Sequence, residues 1–453
     1  MSETTTTRLP RALKPFANGQ YRILATALTL SLFGGGVWIV AVVWQVIELG
    51  GSPIEVSIVA TGSAIGMLAA VLFGGVAADR IPQKRILVAI ESTKVGVIAA
   101  AASLAMSGAL EVWHLAIAAF ILGVCEGFFY PAYSALLPGV LAADDLLAAN
   151  GVEGVLRPTV MQAAGPAVAS TAIAIASPAA AFVIVVISQI LAVLALLLLH
   201  TTPVRREFGE ERSHPVKQLF GDIGGGFVYM FKTPWLLATL LYACLLILVI
   251  MGPIEVLLPF AVKDQVPTAV QAIFGGGAGA FALALAAFGI GGAAGSLVIA
   301  SLRLPKRYLT IMNLLWGFGC VPLALIGVTT ELWVMVVALF VCGFLFSAAT
   351  VIWGTLLQRR VPPALLGRVS SLDFFVSLAL MPISMAVAGP VGVAIGLPFA
   401  FAIAGAVPPV LAIAAIIIAR MPKDEIENPL DPPANEIDPS SQEVLGPGTP
   451  FNG

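Results

Sequence analysis

Charge is what this sequence has least of. Of 453 residues, 11% are Asp, Glu, Lys or Arg, against about 25% in a soluble domain, so water is excluded as the main solvent of the chain. Histidine occurs three times (His114, His200, His214), at the ends of apolar runs or in a link. No Ser/His/Asp grouping surrounds any of them, so enzymatic chemistry has no constellation to rest on. The four cysteines (Cys125, Cys244, Cys320, Cys342) lie inside apolar stretches and form no Cys-x-x-Cys pair. They read as small buried hydrophobes rather than as metal ligands or a disulfide framework. The basic residues are scattered in short clusters, which leaves no footprint for nucleic acid. No strand precedes the glycine-rich stretch Gly275–Gly295, so it is not a phosphate loop. Neither a nucleotide-driven pump nor a cofactor is implied. Amides are also few within the apolar runs (Gln45, Gln162, Gln189, Asn313), which disfavours sugar uptake.

What is abundant is apolar length. Hydrophobic residues make up 59% of the chain and the mean hydropathy is +1.00. A helix needs ~20 mostly apolar residues to cross the hydrocarbon of a bilayer. Twelve stretches qualify: 22–47, 56–78, 86–107, 112–136, 148–175, 179–200, 234–260, 272–300, 308–328, 332–356, 371–395 and 398–419. Unpaired strands cannot survive in lipid, and these runs are too long for barrel strands, so the spans are helices. The interrupting residues Pro131, Pro166, Pro253, Pro382 and Pro390 are of a kind that membrane helices tolerate.

The sparse charge is placed unevenly. Twenty of the 23 Lys and Arg fall in the two tails, at span ends, or in the links after spans 2, 6, 8 and 10, all on one side of a zigzag. The opposite links carry Glu48, Glu55, Glu111, Asp264 and Glu331. By the positive-inside rule the basic side is cytoplasmic, and an even span count puts both termini there. Residues 1–21 form a polar, basic tail without the apolar core of a signal peptide. Residues 201–233 form the longest internal link and separate two six-span halves, 22–200 and 234–420. Residues 421–453 are acidic and Pro-rich and are expected to be disordered.

The halves are related. A shift of 220 residues aligns Glu111, Trp113, Ala118, Phe120, Gly123, Leu136 and Leu137 with Glu331, Trp333, Ala338, Phe340, Gly343, Leu356 and Leu357, and Gly75 with Gly295. Two duplicated six-helix halves are an architecture from which transporters build a central site that opens to alternate sides.

The short link Gly75–Arg85 reads Gly-Val-Ala-Ala-Asp-Arg-Ile-Pro-Gln-Lys-Arg. With it stand Glu48-Leu-Gly-Gly-Ser-Pro53, Gly123-Val-Cys-Glu-Gly-Phe-Phe-Tyr-Pro-Ala-Tyr133, Gly165-Pro166 and Gly367-Arg-Val-Ser370. In this order on twelve spans, the chain resembles the major facilitator superfamily over residues 20–420, in pattern its macrolide-efflux and siderophore-exporter branch. The resemblance implies an all-α integral membrane protein: twelve transmembrane helices in two pseudo-symmetric six-helix bundles. It also implies secondary active transport by alternating access, here proton-coupled efflux of amphipathic drugs, by a monomer in a bacterial inner membrane. A dedicated exporter of a siderophore or other natural product, or a lipid transporter of the same fold, is the alternative. The chain departs from the branch at Gly34-Gly35-Gly36, where an acid is common, and at Pro82 and Gln83 in the link.

Site candidates follow. Gly75, Asp79, Arg80, Lys84 and Arg85 match the cytoplasmic loop that latches the family's two halves, with Arg368 and the start of span 11 near Ser371 as the expected partner. Glu126 lies mid-span, where a charge costs roughly 2.5–3.5 kcal/mol and so faces a cavity. It is a candidate for exchanging a proton for a cationic substrate, and Arg157 is its candidate partner. Glu255, between Pro253 and Pro259, is a second such acid. Glu91 and Lys94 share a helix face, as do Glu153 and Arg157, and each pair reads as internal neutralisation. Asp373 reads as a helix-end anchor. Gly165 and Pro166 resemble the antiporter motif of helix 5, or make a close bend. Trp38, Trp44, Phe128 and Tyr130 are expected to line a cavity for large apolar ligands, as are Phe129, Trp316 and Trp353.

Overall fold

In the computed structural model, which describes residues 11–200, 228–302, 304–362, 369, 373 and 375–430, each helix begins where a capping side chain or a proline allows it. The carboxamide oxygen of Asn18 accepts from the backbone of Gln20 at 2.8 Å and starts α1 (Gly19–Glu48). Ser52, Pro53 and Glu55 form a capping box that starts α2 (Pro53–Arg80), satisfying amide groups that a helix N-terminus leaves unpaired. α3 (Gln83–Met106) and α4 (Val112–Leu136) follow. α5 (Ala143–Leu156) runs through a π-helical turn, Arg157–Ala164, into α6 (Gly165–Ile175), and α7 is Pro178–Leu198.

After the link come α8 (Pro234–Gly252), a second π-turn at Pro253–Leu257, and α9 (Leu258–Gln265). Then follow α10 (Gly277–Ser301), α11 (Tyr308–Gly319), α12 (Leu332–Arg360) and α13 (Met381–Ile418). Among the described residues, ten helices are long and apolar enough to cross a membrane. The stretch 148–175, which carries Glu153, Arg157 and the π-turn, is not among them. The last two stretches merge, over the described run Phe375–Ile418, into one helical path kinked at Gly396, whose φ of 82° favours glycine. Both π-turns begin at or beside a proline (Pro158, Pro253), whose missing N–H frees a carbonyl of the preceding turn and lets the ladder slip.

The link expected between the spans 56–78 and 86–107 is shorter. α2 continues to Arg80, only Ile81 and Pro82 lie outside a helix, and α3 starts at Gln83. Pro82 is the cause: the residue before a proline is pushed to extended backbone, and Ile81 has φ −110° and ψ 138°.

Glycine seams set the tightest crossings. In the first half, an added Cβ on Gly123 would strike the Ser63 carbonyl, and one on Gly66 the Phe120 carbonyl, so α2 and α4 meet backbone to backbone. In the second half, Gly343 presses on the Phe288 carbonyl and Gly291 on that of Phe340, joining α10 to α12 in the same manner. The repeat detected at Phe120/Phe340 and Gly123/Gly343 thus marks the same packing device in both halves. A third seam joins α1 to the helix-5 path: Gly36 abuts the Met161 carbonyl, and a Cβ on Gly165 would lie 2.7 Å from the Gly36 Cα. No side chain fits at Gly36, whereas the neighbouring Gly35 faces open space. Gly36→Val should cost about 1–3 kcal/mol by overpacking, read as a lower thermal unfolding midpoint of the detergent-purified protein.

The halves touch at mid-depth, where Gly289 of α10 lies against Gln162 and Pro158 of the first π-turn, and at the end opposite the basic links. Trp44 stacks on Phe281 with ring centroids 5.6 Å apart, the Gly389 backbone donates to the Ser57 hydroxyl at 2.7 Å, and Ala174 lies against Gly275.

One boundary is corrected. The acidic stretch from 421, expected to be disordered, begins with a docked helix, α14 (Met421–Glu427). Glu425 is buried, and its carboxylate accepts from the Thr310 backbone at 2.7 Å and from the Thr310 hydroxyl at 3.0 Å. It caps the N-terminus of α11, where a negative charge is favoured. Asp424 pairs with Arg360, whose guanidinium lies 4.7 Å over the Trp235 ring. Composition missed this because these acids serve as caps and counter-ions, not as solvated charge. Glu425→Ala should lower stability by roughly 0.5–2 kcal/mol, a fall in unfolding midpoint that Glu427→Ala does not reproduce. The remainder of the expected tail, 431–453, lies outside the described residues, as do residues 1–10 and most of the link (201–227).

Candidate functional site

α4 packs on α2 through its glycines, and its remaining face carries Glu126, Tyr130 and Ser134 at intervals of four, one above another. All three are exposed. Tyr130 and Ser134 line a cavity of ≈ 500 Å³ at the basic end, with Leu146, Glu153, Arg157 and Pro158 on the facing helix-5 path. Glu126 lies one turn deeper on the same stripe.

Its partner is Lys94, not Arg157. Lys94 Nζ donates to Glu126 Oε1 at 2.7 Å and to Glu91 Oε1 at 3.4 Å. The Ser31 hydroxyl donates to Glu91 Oε1 at 2.7 Å and accepts from Lys94 at 3.4 Å. Lys94 also sits 5.1 Å from the centroid of the Phe129 ring, within cation–π range. Three helices, α1, α3 and α4, therefore meet on one ammonium. The expected self-contained pair Glu91–Lys94 is part of this larger cluster: the lysine side chain is 5% exposed and that of Glu91 1%, but that of Glu126 is 48% exposed. Two carboxylates face one ammonium, so the ionised trio carries a formal charge of −1. An opposite charge removed from such a group is worth several kcal/mol.

Arg157 opens the π-turn and lines the cavity with a 40% exposed side chain. Its Nη2 lies 3.5 Å from Glu153 Oε1. The pair spans one turn of helix, as expected, and is loose. Glu255 sits in the second π-turn and is exposed, away from the trio. Asp373 accepts from Trp353 Nε1 at 3.0 Å and from the Ser377 hydroxyl at 3.2 Å, an anchor between helices.

The expected gate residues divide. Lys84 Nζ donates to the carbonyls of Leu197 at 2.9 Å and Leu199 at 2.7 Å. It caps the C-terminus of α7 within its own half, where a cation suits the helix dipole, and is not free to latch the other half. Arg85 is exposed. Gly75, Asp79 and Arg80 are placed in α2, but their side chains, like Arg368 and Ser371, lie outside the described residues. Gly165 and Pro166 form the buried crossing with α1 described above.

Of the expected cavity aromatics only Tyr130 lines the cavity. Trp38 packs on Phe182, centroids 5.3 Å apart, Trp44 closes the opposite end, and Phe128 and Phe129 belong to the packed interior of the first half. Trp316 and Trp353 pack against one another at a tilt in the second half, centroids 6.2 Å apart. Large rings at membrane depth were read as ligand surface, but here they fill space between helices.

Ser31 was not anticipated, and nothing in a serine among apolar neighbours announces it. The Lys94–Glu126 contact did leave a signal. Lys94 comes eleven residues after the start of α3 and Glu126 ten before the end of α4. At about 1.5 Å per residue, both lie ~15 Å from the same membrane face.

The chain as a whole has counterparts among known proteins. Residues 11–445 match the family model described as transmembrane secretion effector (MFS_3). The chain belongs to this family of major facilitator transporters. It is 26% identical over 409 residues to the multidrug efflux pump Tap of Mycolicibacterium fortuitum, covering 88% of this chain and 95% of that protein. It is 25% identical over 360 residues to the enterobactin exporter EntS of Escherichia coli O1:K1, covering 78% and 80%. Among solved structures, the fold is similar to that of a POT family transporter (TM-score 0.67, 12% identity, 91% and 96% covered) and of the nucleoside transporter NupG (TM-score 0.63, 14% identity, 87% and 98% covered). The protein is a multi-pass, all-helical membrane transporter of the efflux type.

Proposed function

We propose that the protein is a proton-coupled antiporter that exports amphipathic, cationic small molecules. In this reading twelve spans form two six-helix bundles, 22–200 and 234–420. The path Ala143–Ile175 counts as one span across its π-turn, and the helix kinked at Gly396 counts as two. Both termini lie in the cytoplasm of a bacterial cell, and a monomer suffices. The cavity then opens to the cytoplasm, while Trp44–Phe281 and Ser57–Gly389 close the outer end.

The observation that carries this reading is the Lys94–Glu126 contact at 2.7 Å in a trio with one carboxylate in excess. A site of charge −1 at low dielectric gains by taking up either one proton or one cation, and is overcharged by both. Competition for one carboxylate is the simplest form of exchange. Glu126, the exposed member, meets both guest and water, while Glu91 and Ser31 hold Lys94 in place. Tyr130 offers an aromatic face to an apolar guest.

A second reading has one observation in its favour. Arg157 presents a loosely paired guanidinium to the cavity, which suits an acidic natural product of the kind that EntS, by its name, exports. Proteoliposomes under an imposed pH gradient separate the two. The antiport reading expects tetraphenylphosphonium to be driven by the gradient and to stop when it is collapsed. Movement of a catecholate, with no movement of the cation, favours the second.

A further inference from the structure

Within the trio, Glu91 is bound asymmetrically. Its Oε1 accepts from Ser31 at 2.7 Å and from Lys94 at 3.4 Å, while its Oε2 is fully buried and has no hydrogen-bond partner. A carboxylate oxygen left bare in a protein interior is costly, and the group that would relieve it is a proton. The space beside Glu91 is a cavity of ≈ 10 Å³ whose walls include Leu24, Leu28, Leu87 and Phe129, with Tyr133 the one hydroxyl. That is at the lower limit for a single water, which also needs two or more polar partners. The two lysine contacts agree: Lys94 sits at 2.7 Å from Glu126 and at 3.4 Å from Glu91, short to the one and long to the other. Charge-assisted pairs are the shorter ones.

We propose that Glu91 is the resting place of the transported proton, and that Glu126 is the ionised partner of Lys94 in this inward-facing arrangement. The assignment rests on the trio being the coupling site. It makes the trio neutral before a guest arrives: Glu91 protonated, Lys94 and Glu126 charged. The titratable groups facing Glu91 are Lys94 on its own helix, and Cys125, Glu126 and Tyr133 on α4. α1 supplies Ser31, and α7 supplies Leu196. Glu91 has no exposure of its own, so its proton leaves through its neighbours. Lys94 first passes a proton to the ionised Glu126, which gives it to the cavity, and is left a neutral amine with a free lone pair; that amine then takes the Glu91 proton, an N–H bond forming as the O–H bond breaks. Lys94 ends as the ammonium it was, and the trio is left at −1 for a cationic guest to neutralise.

Infrared spectroscopy of the full chain, purified and free of guest at neutral pH, tests this. Other acids within the spans, such as Glu255 and Asp373, can contribute to the carboxylic-acid carbonyl region, so difference spectra against single variants are read. Native minus Glu91→Gln and native minus Glu126→Gln should each contain one carboxylic-acid band, because the single carboxylate left in either variant pairs with Lys94 and gives up the shared proton. No band in either overturns the proposal. Ser31→Ala assigns the band to one carboxyl: it removes the donor to Glu91 Oε1 and should move the band without removing it, whereas an unmoved band puts the proton on Glu126 and overturns the assignment. Failure here leaves gradient-driven transport untouched. Failure of the antiport reading would appear instead as tetraphenylphosphonium movement indifferent to the pH gradient.

Discussion

Glu126→Gln should abolish accumulation of a lipophilic cation driven by a pH gradient, while the protein still folds and still lets the cation move downhill. The carboxamide has the shape of the carboxyl group and can accept from Lys94 through its oxygen, so the helices keep their places. What disappears is the excess charge. Glu91 alone then neutralises Lys94, and the trio has no reason to take up either a proton or a cation. Removing a positioned proton-transfer group lowers rates by roughly 10²–10⁴-fold, and a loss at the lower end of that range is expected in gradient-driven uptake into proteoliposomes. Glu153→Gln, on the cavity wall but outside the trio, should lose far less. Equal losses in the two variants would move the coupling group from α4 to the helix-5 path.

The second large effect is on stability. Lys94→Met leaves Glu91 and Glu126 facing each other across α3 and α4 without their ammonium. Breaking a buried ion pair by removing one partner costs about 3–5 kcal/mol, a large part of the 5–15 kcal/mol that holds a typical domain together. The variant should reach the membrane in reduced amount and unfold at a distinctly lower temperature. Adding Glu91→Gln should recover much of the loss, because the remaining carboxylate, Glu126, is half exposed. Acidifying the medium should help Lys94→Met in the same way, since a carboxyl group that takes up a proton no longer needs a counter-ion. A double variant no more stable than Lys94→Met would mean that lysine packing against Phe129, not charge, holds the three helices together.

Much of this was legible in the residues themselves. Apolar length marked the helices, and the repeat of Phe120 and Gly123 at Phe340 and Gly343 anticipated the two equivalent seams. Glu126 stood out because an acid at bilayer depth is costly wherever it lies. What sequence spacing could not supply was the register between helices. Glu91 and Lys94 share a face by spacing alone, but the arrival of Glu126 from α4 and Ser31 from α1 depends on how far the glycine seams let neighbours approach. Lys84 was misjudged for a related reason. Its charge matched a motif, but the carbonyls that it caps belong to α7, more than a hundred residues away. α14 was misjudged because acidic composition is read as a wish for water, and Glu425 instead found a helix N-terminus. The aromatics erred in the opposite direction: ring size suggests a ligand surface, yet Trp38 and Trp353 complete the packing of their own halves.

The central claim is that the trio holds one proton or one cationic guest, never both. It is tested most directly by titrating the purified native protein with tetraphenylphosphonium in weakly buffered solution and counting protons released per cation bound. The account predicts one proton per cation for the native chain and none for Glu126→Gln. Saturable binding to the native protein without proton release, or the same release from Glu126→Gln, would contradict it.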